Sequence, residues 1–232
     1  SFAGTNLAPN DPVGISFWII SVAMVAATAF FFLESLRVQG KFRTSLVVGG
    51  LICLVAGVHY FYMREVWAST GSSPTVFRYV DWIVTVPLQM VEFYLILAAV
   101  TAVSLGVFWR LLIGTVVMVV AGYLGEAGFI DTTIGFVVGM GGWAYILYEI
   151  FSGEASASAS KAAPAVQSAF NTMKWIVTIG WAIYPLGYFL GYMTGGGADA
   201  DTLNIVYNVA DFINKIGFCL AIWAAATTQA DA

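Results

Sequence analysis

A lysine and an aspartate one helical turn apart lie within a long apolar run near the end of the sequence. Asp211 and Lys215 are the only charged residues between positions 203 and 227, a stretch long enough to cross a membrane. A buried ammonium is costly unless it pairs with an acid, loses its proton or is covalently modified. Formation of a Schiff base with an aldehyde would explain both the burial of this lysine and its acidic partners. The two residues therefore indicate a functional centre inside a membrane helix.

A second apolar segment, residues 78–92, carries charged and hydroxyl side chains at helical spacing. Asp81 and Thr85 are one turn apart on the same face of a helix. Asp81 and Glu92 are about three turns apart, so they share a face at a separation of roughly 16 Å along the axis. Either acid alone could simply satisfy a neighbouring helix, and Thr85 could bond back to its own helix. The coincidence of these acids with a buried lysine favours a functional interpretation.

The composition is that of a membrane protein. Of the 232 residues, 60% are hydrophobic and only 9% are charged, and the mean hydropathy is +0.86. Soluble domains carry roughly 25% charged residues. The net charge is -4 and the basic residues form no cluster, which argues against nucleic acid as a partner. We also predict no metal site.

Seven segments are long and apolar enough to cross a bilayer, which requires about 20 mostly apolar residues. Short links with turn-forming residues separate them, among them residues 71–74 and 195–197. The longest link, residues 152–165, is rich in alanine and serine, and we expect it to be mobile. The sequence predicts an all-α membrane protein, a bundle of seven transmembrane helices that forms one domain over residues 1–232. The predicted segments are residues 13–36, 44–63, 76–100, 107–124, 130–151, 166–192 and 203–227.

The charges of the links predict the orientation of the bundle, because cytoplasmic loops carry an excess of lysine and arginine. The links after segments 1, 3 and 5, with the adjoining helix ends, hold six basic residues, whereas the opposite side holds only Arg64. We therefore expect the N-terminus outside and the C-terminus in the cytoplasm. The six basic residues are Arg37, Lys41, Arg43, Arg110, Lys161 and Lys174.

This orientation orders the charged residues by depth. Segments 3 and 7 run inward, so Asp211 lies one turn outside Lys215, Asp81 lies nearer the exterior and Glu92 lies nearer the cytoplasm. His59, near the outer end of segment 2, lies at about the level of Asp81, although a lone histidine in such a segment is more often part of the core. The arrangement predicts a proton path with a central lysine.

Three stretches of the sequence resemble the microbial (type 1) rhodopsins, and within them the proteorhodopsins. They occur in the order and spacing of that family, and the resemblance spans essentially all seven segments. A lone lysine in the last segment would be a weak signal, whereas the three stretches together are a specific one. They are Arg78-Tyr79-Val80-Asp81-Trp82 continuing to Glu92-Phe93-Tyr94, Trp181-Ala182-Ile183-Tyr184-Pro185, and Asp211-Phe212-Ile213-Asn214-Lys215.

The resemblance implies a chromophore and the residues that serve it. It implies that Lys215 binds all-trans retinal covalently as a protonated Schiff base. Asp81 matches the primary counterion and proton acceptor, and Asp211 matches the second carboxylate of the counterion complex. Glu92 matches the cytoplasmic proton donor, which outward pumps of this type carry and many sensory relatives lack. Arg78 matches the arginine on the exit side of the path.

Further residues match family positions around the chromophore. Trp82, Trp181 and Tyr184 match the retinal cage. Together with Tyr207 they could otherwise be ordinary packing, since the whole chain is rich in aromatic residues. His59 matches a histidine that interacts with the counterion and modulates its pKa.

Three residues, Gln89, His59 and Trp18, carry implications for colour and assembly. Gln89 occupies the position associated with colour in proteorhodopsins, where glutamine accompanies blue absorption and leucine accompanies green absorption. A polar amide near the chromophore can favour the ground-state charge distribution and widen the excitation gap, although a simple interhelical hydrogen bond would also explain Gln89. In the family, the histidine at position 59 lies near a protomer boundary, where Trp18 would be its cross-subunit neighbour. We therefore expect a homo-oligomer, a pentamer or hexamer.

These observations predict a light-driven outward proton pump, a transporter rather than an enzyme, in the lipid bilayer of a bacterial inner membrane. The alternative is a slow-cycling sensory photoreceptor with the same chromophore, and Glu92 argues against it. A chloride pump would lack the acid at position 81, and a sodium pump usually carries a different triplet at positions 81, 85 and 92. A light-independent seven-helix receptor or transporter would use Lys215 only as an ion-pair residue and would give no visible band with retinal.

Overall fold

The structure is a computed structural model that describes residues 6–195 and 199–231, and the regular structure within these ranges is helical throughout. Seven helices are long and apolar enough to cross a membrane, which confirms the predicted seven-helix bundle. The predicted ends differ most at the second and fifth helices, because polar residues extend both beyond their apolar runs. Of the predicted link at positions 195–197, positions 196 and 197 lie outside the described residues. The helices, first to seventh, are Pro12–Arg37, Gly40–Thr70, Thr75–Ala98, Leu105–Glu126, Thr132–Ala159, Pro164–Met193 and Ala200–Ala230.

Local capping fixes where several of these helices begin and end. Asp11 accepts a hydrogen bond from the Gly14 amide at 2.9 Å and caps the first helix, whose first turn contains Pro12. At the end of the second helix, Gly71 adopts a left-handed conformation with φ of 63° and donates its N–H to the carbonyl of Trp67 at 2.8 Å. The glycine-containing turn that the sequence predicts after the second segment is therefore present.

The link between the fifth and sixth helices is partly helical. The fifth helix is interrupted at Gly153 and continues as a short helix, Glu154–Ala159. Alanine favours helix formation, and Arg110 on the fourth helix pairs with Glu154 at 2.8 Å. Within the link over residues 152–165, Glu154–Ala159 is therefore helical, and the expected mobility of the link stays a prediction.

The sixth and seventh helices contain wide, π-helical turns. These turns span Ile176–Gly180 and Phe189–Met193 in the sixth helix and Phe212–Gly217 in the seventh. Such turns are frequent at functional sites, and the extra residue in each turn rotates the side chains that follow. Lys215 lies inside the turn of the seventh helix. The helix that carries the predicted functional lysine is therefore irregular at that residue.

Consecutive helices pack side by side, and the seventh helix returns to contact the first, second and sixth. The ring of helices encloses a central region in which charged residues are buried. Arg78, Asp81, Glu92, Asp211 and Lys215 are each at most 2% exposed. Large apolar side chains cover the outer faces of the bundle, as contact with lipid requires.

Candidate functional site

Lys215 lies between two carboxylates at the centre of the bundle. Its Nζ is 3.1 Å from Asp81 Oδ2 and 3.2 Å from Asp211 Oδ1, and the three side chains are at most 2% exposed. Asp211 precedes Lys215 by one turn on the seventh helix, and the fold brings Asp81 to the same ammonium from the third helix. Buried ions are tolerated when they are paired. The cluster thus supplies the acidic partners that the sequence predicted for the lysine.

The two carboxylates have different surroundings. Asp211 accepts hydrogen bonds from the hydroxyls of Tyr60 and Tyr184, each at 2.5 Å. Asp81 receives no such hydrogen bond from the described residues, and its ionic partner is Lys215. Hydrogen bonds donated to an acid stabilise its ionised form. Asp211 is therefore the carboxylate that is equipped to keep its charge, whereas the charge of Asp81 depends on the lysine.

Arg78 contacts the second oxygen of Asp211. Its Nη1 is 3.7 Å from Asp211 Oδ2 and donates a hydrogen bond to the Tyr60 hydroxyl at 3.1 Å. Its Nη2 donates to the side-chain oxygens of Asn204 at 3.1 Å and Asn208 at 2.8 Å. The guanidinium is fully buried. The predicted arginine therefore belongs to the same charge cluster, and it reaches the lysine through Asp211.

Thr85 and Gln89 are buried on the third helix, one and two turns beyond Asp81. Thr85 Oγ1 donates to the Asp81 backbone carbonyl at 3.0 Å. Thr85 therefore bonds back to its own helix, which is one of the two possibilities that the sequence left open. Gln89 Nε2 donates to the Asn214 carbonyl at 2.7 Å. Gln89 therefore makes an interhelical hydrogen bond next to the lysine, and it also lines a cavity beside Lys215.

Glu92 is a buried acid separate from the lysine cluster. It is hydrogen-bonded to the Ser45 hydroxyl on the second helix, and its Oε1 has no partner among residues 6–195 and 199–231. No ion pair within these ranges involves Glu92. A carboxylate buried without a cation is costly, so this environment favours the neutral acid, which carries a proton.

His59 and Trp18 occupy different environments in the single chain. His59 is 8% exposed, its Nε2 has no hydrogen-bond partner in the described part of the chain, and Asp81 is among the charges near enough to act on its ring. Trp18 is 38% exposed. It packs edge-on against Phe61, with ring centroids 5.1 Å apart, and the Arg64 guanidinium lies 4.8 Å from its centroid. Trp18 is thus at the surface, and its contact with another subunit remains a prediction.

A largely apolar cavity adjoins Lys215. Its volume is about 110 Å³, and apolar and aromatic side chains form most of its wall, as is usual for small-molecule sites. Trp82 packs edge-on against Tyr184 with centroids 5.0 Å apart, and Tyr184 stacks on Tyr207 at 5.7 Å. The aromatic residues expected around the lysine therefore share one cavity. Its walls include Trp82, Gln89, Trp143, Trp181, Tyr184 and Tyr207.

The residues of the cavity fit a long apolar aldehyde. Lys215 supplies the amine in the wall, and the aromatic rings supply flat surfaces for an unsaturated chain. Gly122 and Gly139 also line the cavity. An imine at the lysine would be a cation when protonated, and Asp81 and Asp211 are placed to balance it.

Sequence reasoning missed several polar residues of the cluster. Asn204, Asn208, Asp211 and Lys215 recur at intervals of three or four and form a polar stripe along the seventh helix, which was an available signal. Tyr60 carried no such signal, because it lies in an aromatic-rich run. Its contact with Asp211 joins residues 151 positions apart, so only the fold reveals it.

The fold and the site together define a multi-pass membrane protein of the microbial rhodopsin class. Residues 11–229 match the family described as Bacteriorhodopsin-like protein, and the chain belongs to that family. Family membership implies a lipid environment and a retinal chromophore.

Proteorhodopsins are among the similar proteins. The chain is 54% identical to the blue-light absorbing proteorhodopsin of Gamma-proteobacterium Hot 75m4, over 98% of this chain and 91% of that protein. It is 52% identical to the green-light absorbing proteorhodopsin of Gamma-proteobacterium EBAC31A08, over 97% of this chain and 91% of that one. The solved structure of blue light-absorbing proteorhodopsin from Med12 matches with a TM-score of 0.80 at 54% identity, covering 94% of this chain and all of that chain (100%). The predicted resemblance to the proteorhodopsins is confirmed.

Proposed function

We propose that this protein is a light-driven outward proton pump with all-trans retinal bound to Lys215 as a protonated Schiff base. The observation that carries the proposal is the position of Lys215 Nζ between Asp81 and Asp211, with an isolated buried acid, Glu92, further along the third helix. When bound, retinal supplies absorption of visible light and an isomerisation that changes the position and proton affinity of the Lys215 nitrogen.

Asp81 accepts the proton that the Lys215 nitrogen gives up. Once that nitrogen is neutral, Asp81 has lost its ionic partner in the described part of the chain, and protonation at a carboxylate oxygen removes an unbalanced buried charge. Asp211 does not compete for the proton, because two tyrosine hydroxyls still donate to it and Arg78 remains 3.7 Å away.

Glu92 returns a proton to the Lys215 nitrogen from the other direction. Its burial with no cation partner in the described part of the chain favours the protonated acid, and its hydrogen bond with Ser45 anchors the carboxyl group to the second helix. Because Asp81 and Glu92 are roughly 16 Å apart along the third helix, one acid serves each side of the nitrogen. The loop charges orient the Asp81 side outward and the C-terminus toward the cytoplasm, so the net transport is outward.

Assembly and colour complete the proposal. In a homo-oligomer, a pentamer or hexamer in a bacterial inner membrane, Trp18 of one subunit contacts His59 of the next, and His59 acts on Asp81. The surface position of Trp18 supports this arrangement, as does the buried His59, whose Nε2 has no hydrogen-bond partner among residues 6–195 and 199–231. Gln89 in the cavity wall supports blue absorption, as does the likeness to a blue-light absorbing proteorhodopsin. The absorption maximum of the retinal-bound protein tests the colour directly.

The pumping proposal is tested by illuminating cells that express the chain and are supplied with all-trans retinal. We expect acidification of the medium that persists in the light and is abolished by a protonophore. A coloured protein without a pH change would contradict the pump and favour a sensory photoreceptor. Absence of a visible band after retinal addition would contradict the chromophore itself.

A further inference from the structure

Arg78 is held more closely by two amides than by its nearest acid. Nη2 donates to Asn208 Oδ1 at 2.8 Å and to Asn204 Oδ1 at 3.1 Å, whereas Nη1 is 3.7 Å from Asp211 Oδ2. A separation of 3.7 Å is beyond a direct hydrogen bond. Along the seventh helix, both asparagines lie beyond Asp211 on the side away from Lys215. The guanidinium is thus drawn away from the acid that it would otherwise pair with.

The orientation of the Asn208 amide is fixed by the first helix. Asn208 Nδ2 donates to Ser16 Oγ at 2.8 Å, and Ser16 Oγ donates its own hydrogen to the Val13 carbonyl at 2.7 Å. Because the Ser16 hydrogen is used in that bond, the serine oxygen is an acceptor for the amide. The carbonyl oxygen of Asn208 therefore has to face Arg78.

The Asn204 amide is fixed in the same way. Its Nδ2 donates to Ser73 Oγ and to the Ala200 carbonyl, each at 3.0 Å, which uses both of its hydrogens. Its oxygen accepts from Arg78 Nη2 at 3.1 Å and, at the longer distance of 3.4 Å, from Ser73 Oγ. Asn204 is 1% exposed and Asn208 is 0% exposed. Loss of either contact with Arg78 would therefore leave a buried polar group without a partner, which costs free energy.

We propose that Asn204 and Asn208 are positioning residues that hold Arg78 Nη2 and so leave the charge of Asp211 to Lys215. Without these acceptors, a buried guanidinium must find others, and a carboxylate that it can pair with through two parallel hydrogen bonds is the strongest available. Arg78 would then close on Asp211 and neutralise it. Neutral amides hold the arginine without placing another negative charge beside it.

The dark colour of the retinal-bound protein reports this effect. If Arg78 neutralises Asp211, the positive charge at the Lys215 nitrogen is less balanced, so the ground state loses stabilisation and the visible band moves to longer wavelength. If Arg78 is drawn further from Asp211, the band moves to shorter wavelength. This consequence rests on the proposed binding of retinal to Lys215 and does not require pumping.

Two opposite substitutions at one position test the proposal. Asn208→Leu removes the acceptor and is expected to shift the dark band of the purified protein in lipid to longer wavelength. Asn208→Asp adds a carboxylate that pairs with Arg78, and it is expected to shift the band to shorter wavelength. Asn171→Leu, at an exposed position of the sixth helix, is the matched control and leaves the band unchanged. Disruption of the fold alone would not produce shifts of opposite sign.

A second readout does not depend on the chromophore. The ¹⁵N signals of the Arg78 guanidinium, measured by solid-state NMR with and without retinal, are expected to move in both Asn208 variants and to stay in place in Asn171→Leu. If Asn208→Leu does not fold, Ser16→Ala frees the amide to rotate and should give a smaller shift of the band to longer wavelength. Shifts of the same sign in both Asn208 variants, or unmoved Arg78 signals, would overturn the proposal.

The two proposals fail separately. Opposite shifts in a protein that does not acidify the medium would support the positioning role and reject the pump. Unmoved Arg78 signals in a protein that pumps would reject the positioning role alone.

Discussion

Asp81 and Asp211 are almost equally distant from Lys215 Nζ, at 3.1 and 3.2 Å, but their other neighbours separate them. Two phenolic hydroxyls donate to the Asp211 carboxylate, while the Asp81 carboxylate accepts no hydrogen bond from the described residues. The roles of two identical residue types are therefore set by the groups around them rather than by their distance from the lysine.

Replacing Asp81 with asparagine tests the acceptor role. Asp81→Asn keeps the size of the side chain and removes its capacity to accept a proton. We expect a coloured protein, because Asp211 remains as a counterion, with no light-driven acidification of the medium. Asp201→Asn, at an exposed acid of the seventh helix, is the control and should pump normally. Acidification by Asp81→Asn close to that of the control would contradict the assignment.

Replacing Glu92 with glutamine tests the donor role. A positioned general acid contributes roughly 10²–10⁴-fold in rate, so Glu92→Gln should slow recovery of the protonated state after a flash by about 100-fold. The dark band should stay in place, because Glu92 contacts neither the lysine cluster nor the cavity. Ser45→Ala keeps the acid and removes its hydrogen bond, so a smaller slowing is expected. Recovery at the unaltered rate in Glu92→Gln would exclude this donor.

At the scale of helices, wide turns build the wall beside the lysine. In the turn Phe212–Gly217, the Phe218 N–H donates to the Lys215 carbonyl, and the Asn214 carbonyl accepts from Gln89 Nε2 at 2.7 Å. The Asn214 side chain donates to the carbonyl of Gly180 at 3.0 Å, which lies in a wide turn of the sixth helix. Side chains thus satisfy backbone groups next to the irregular turns, as an apolar environment requires.

The fourth and fifth helices approach each other closely at glycine residues, and a substitution there tests the packing between these two helices. A Cβ at Gly135 would lie 2.7 Å from the Gly125 Cα, so Gly135→Ala has to push the two helices apart. We expect a loss of about 1–3 kcal/mol in stability, measured as earlier thermal loss of the visible band. Gly141→Ala, on the same helix with no heavy atom within 4 Å of its Cβ, should be neutral or slightly stabilising. Equal thermal stability of both variants would contradict the packing argument.

At the scale of the whole molecule, the direction of the proposed proton transport depends on which end of the bundle faces outward. The order of Asp81, Lys215 and Glu92 gives the proposed proton path two different ends. The excess of basic residues in three of the links predicts which end is cytoplasmic. Because the proposed proton path is asymmetric, a pump inserted the other way would move protons inward with the same residues.

Thiol labelling in intact cells tests this orientation. Ser72→Cys lies in the link after the second helix and Ser160→Cys in the link after the fifth, and both serines are exposed. A membrane-impermeant thiol reagent should label the cysteine at position 72 and leave that at position 160 unlabelled until the membrane is opened. The native Cys53 and Cys219 are buried and should contribute little background. The reverse labelling pattern would contradict the orientation.

Much of the framework follows from the sequence because membrane spans are long apolar runs and charges inside them are rare. The seven segments, Lys215 with Asp211, and the spacing of Asp81 and Glu92 could all be predicted on that basis. The helical structure of Glu154–Ala159 was not predicted: alanine favours it, but the pairing of Glu154 with Arg110 from another helix is visible only in the fold. For Thr85 and Gln89, the sequence left open whether the side chain serves the backbone or the site.

The sequence by itself determined the number of helices, the buried lysine and the acids that recur at helical intervals near it. Only the tertiary structure decided which groups surround each acid: two tyrosines on Asp211, two asparagines on Arg78 and a serine on Glu92. The reason is physical. When a helix is apolar on nearly every face, the sequence pattern does not define which face points into the bundle. Contacts between distant residues are therefore fixed only when all seven helices pack together.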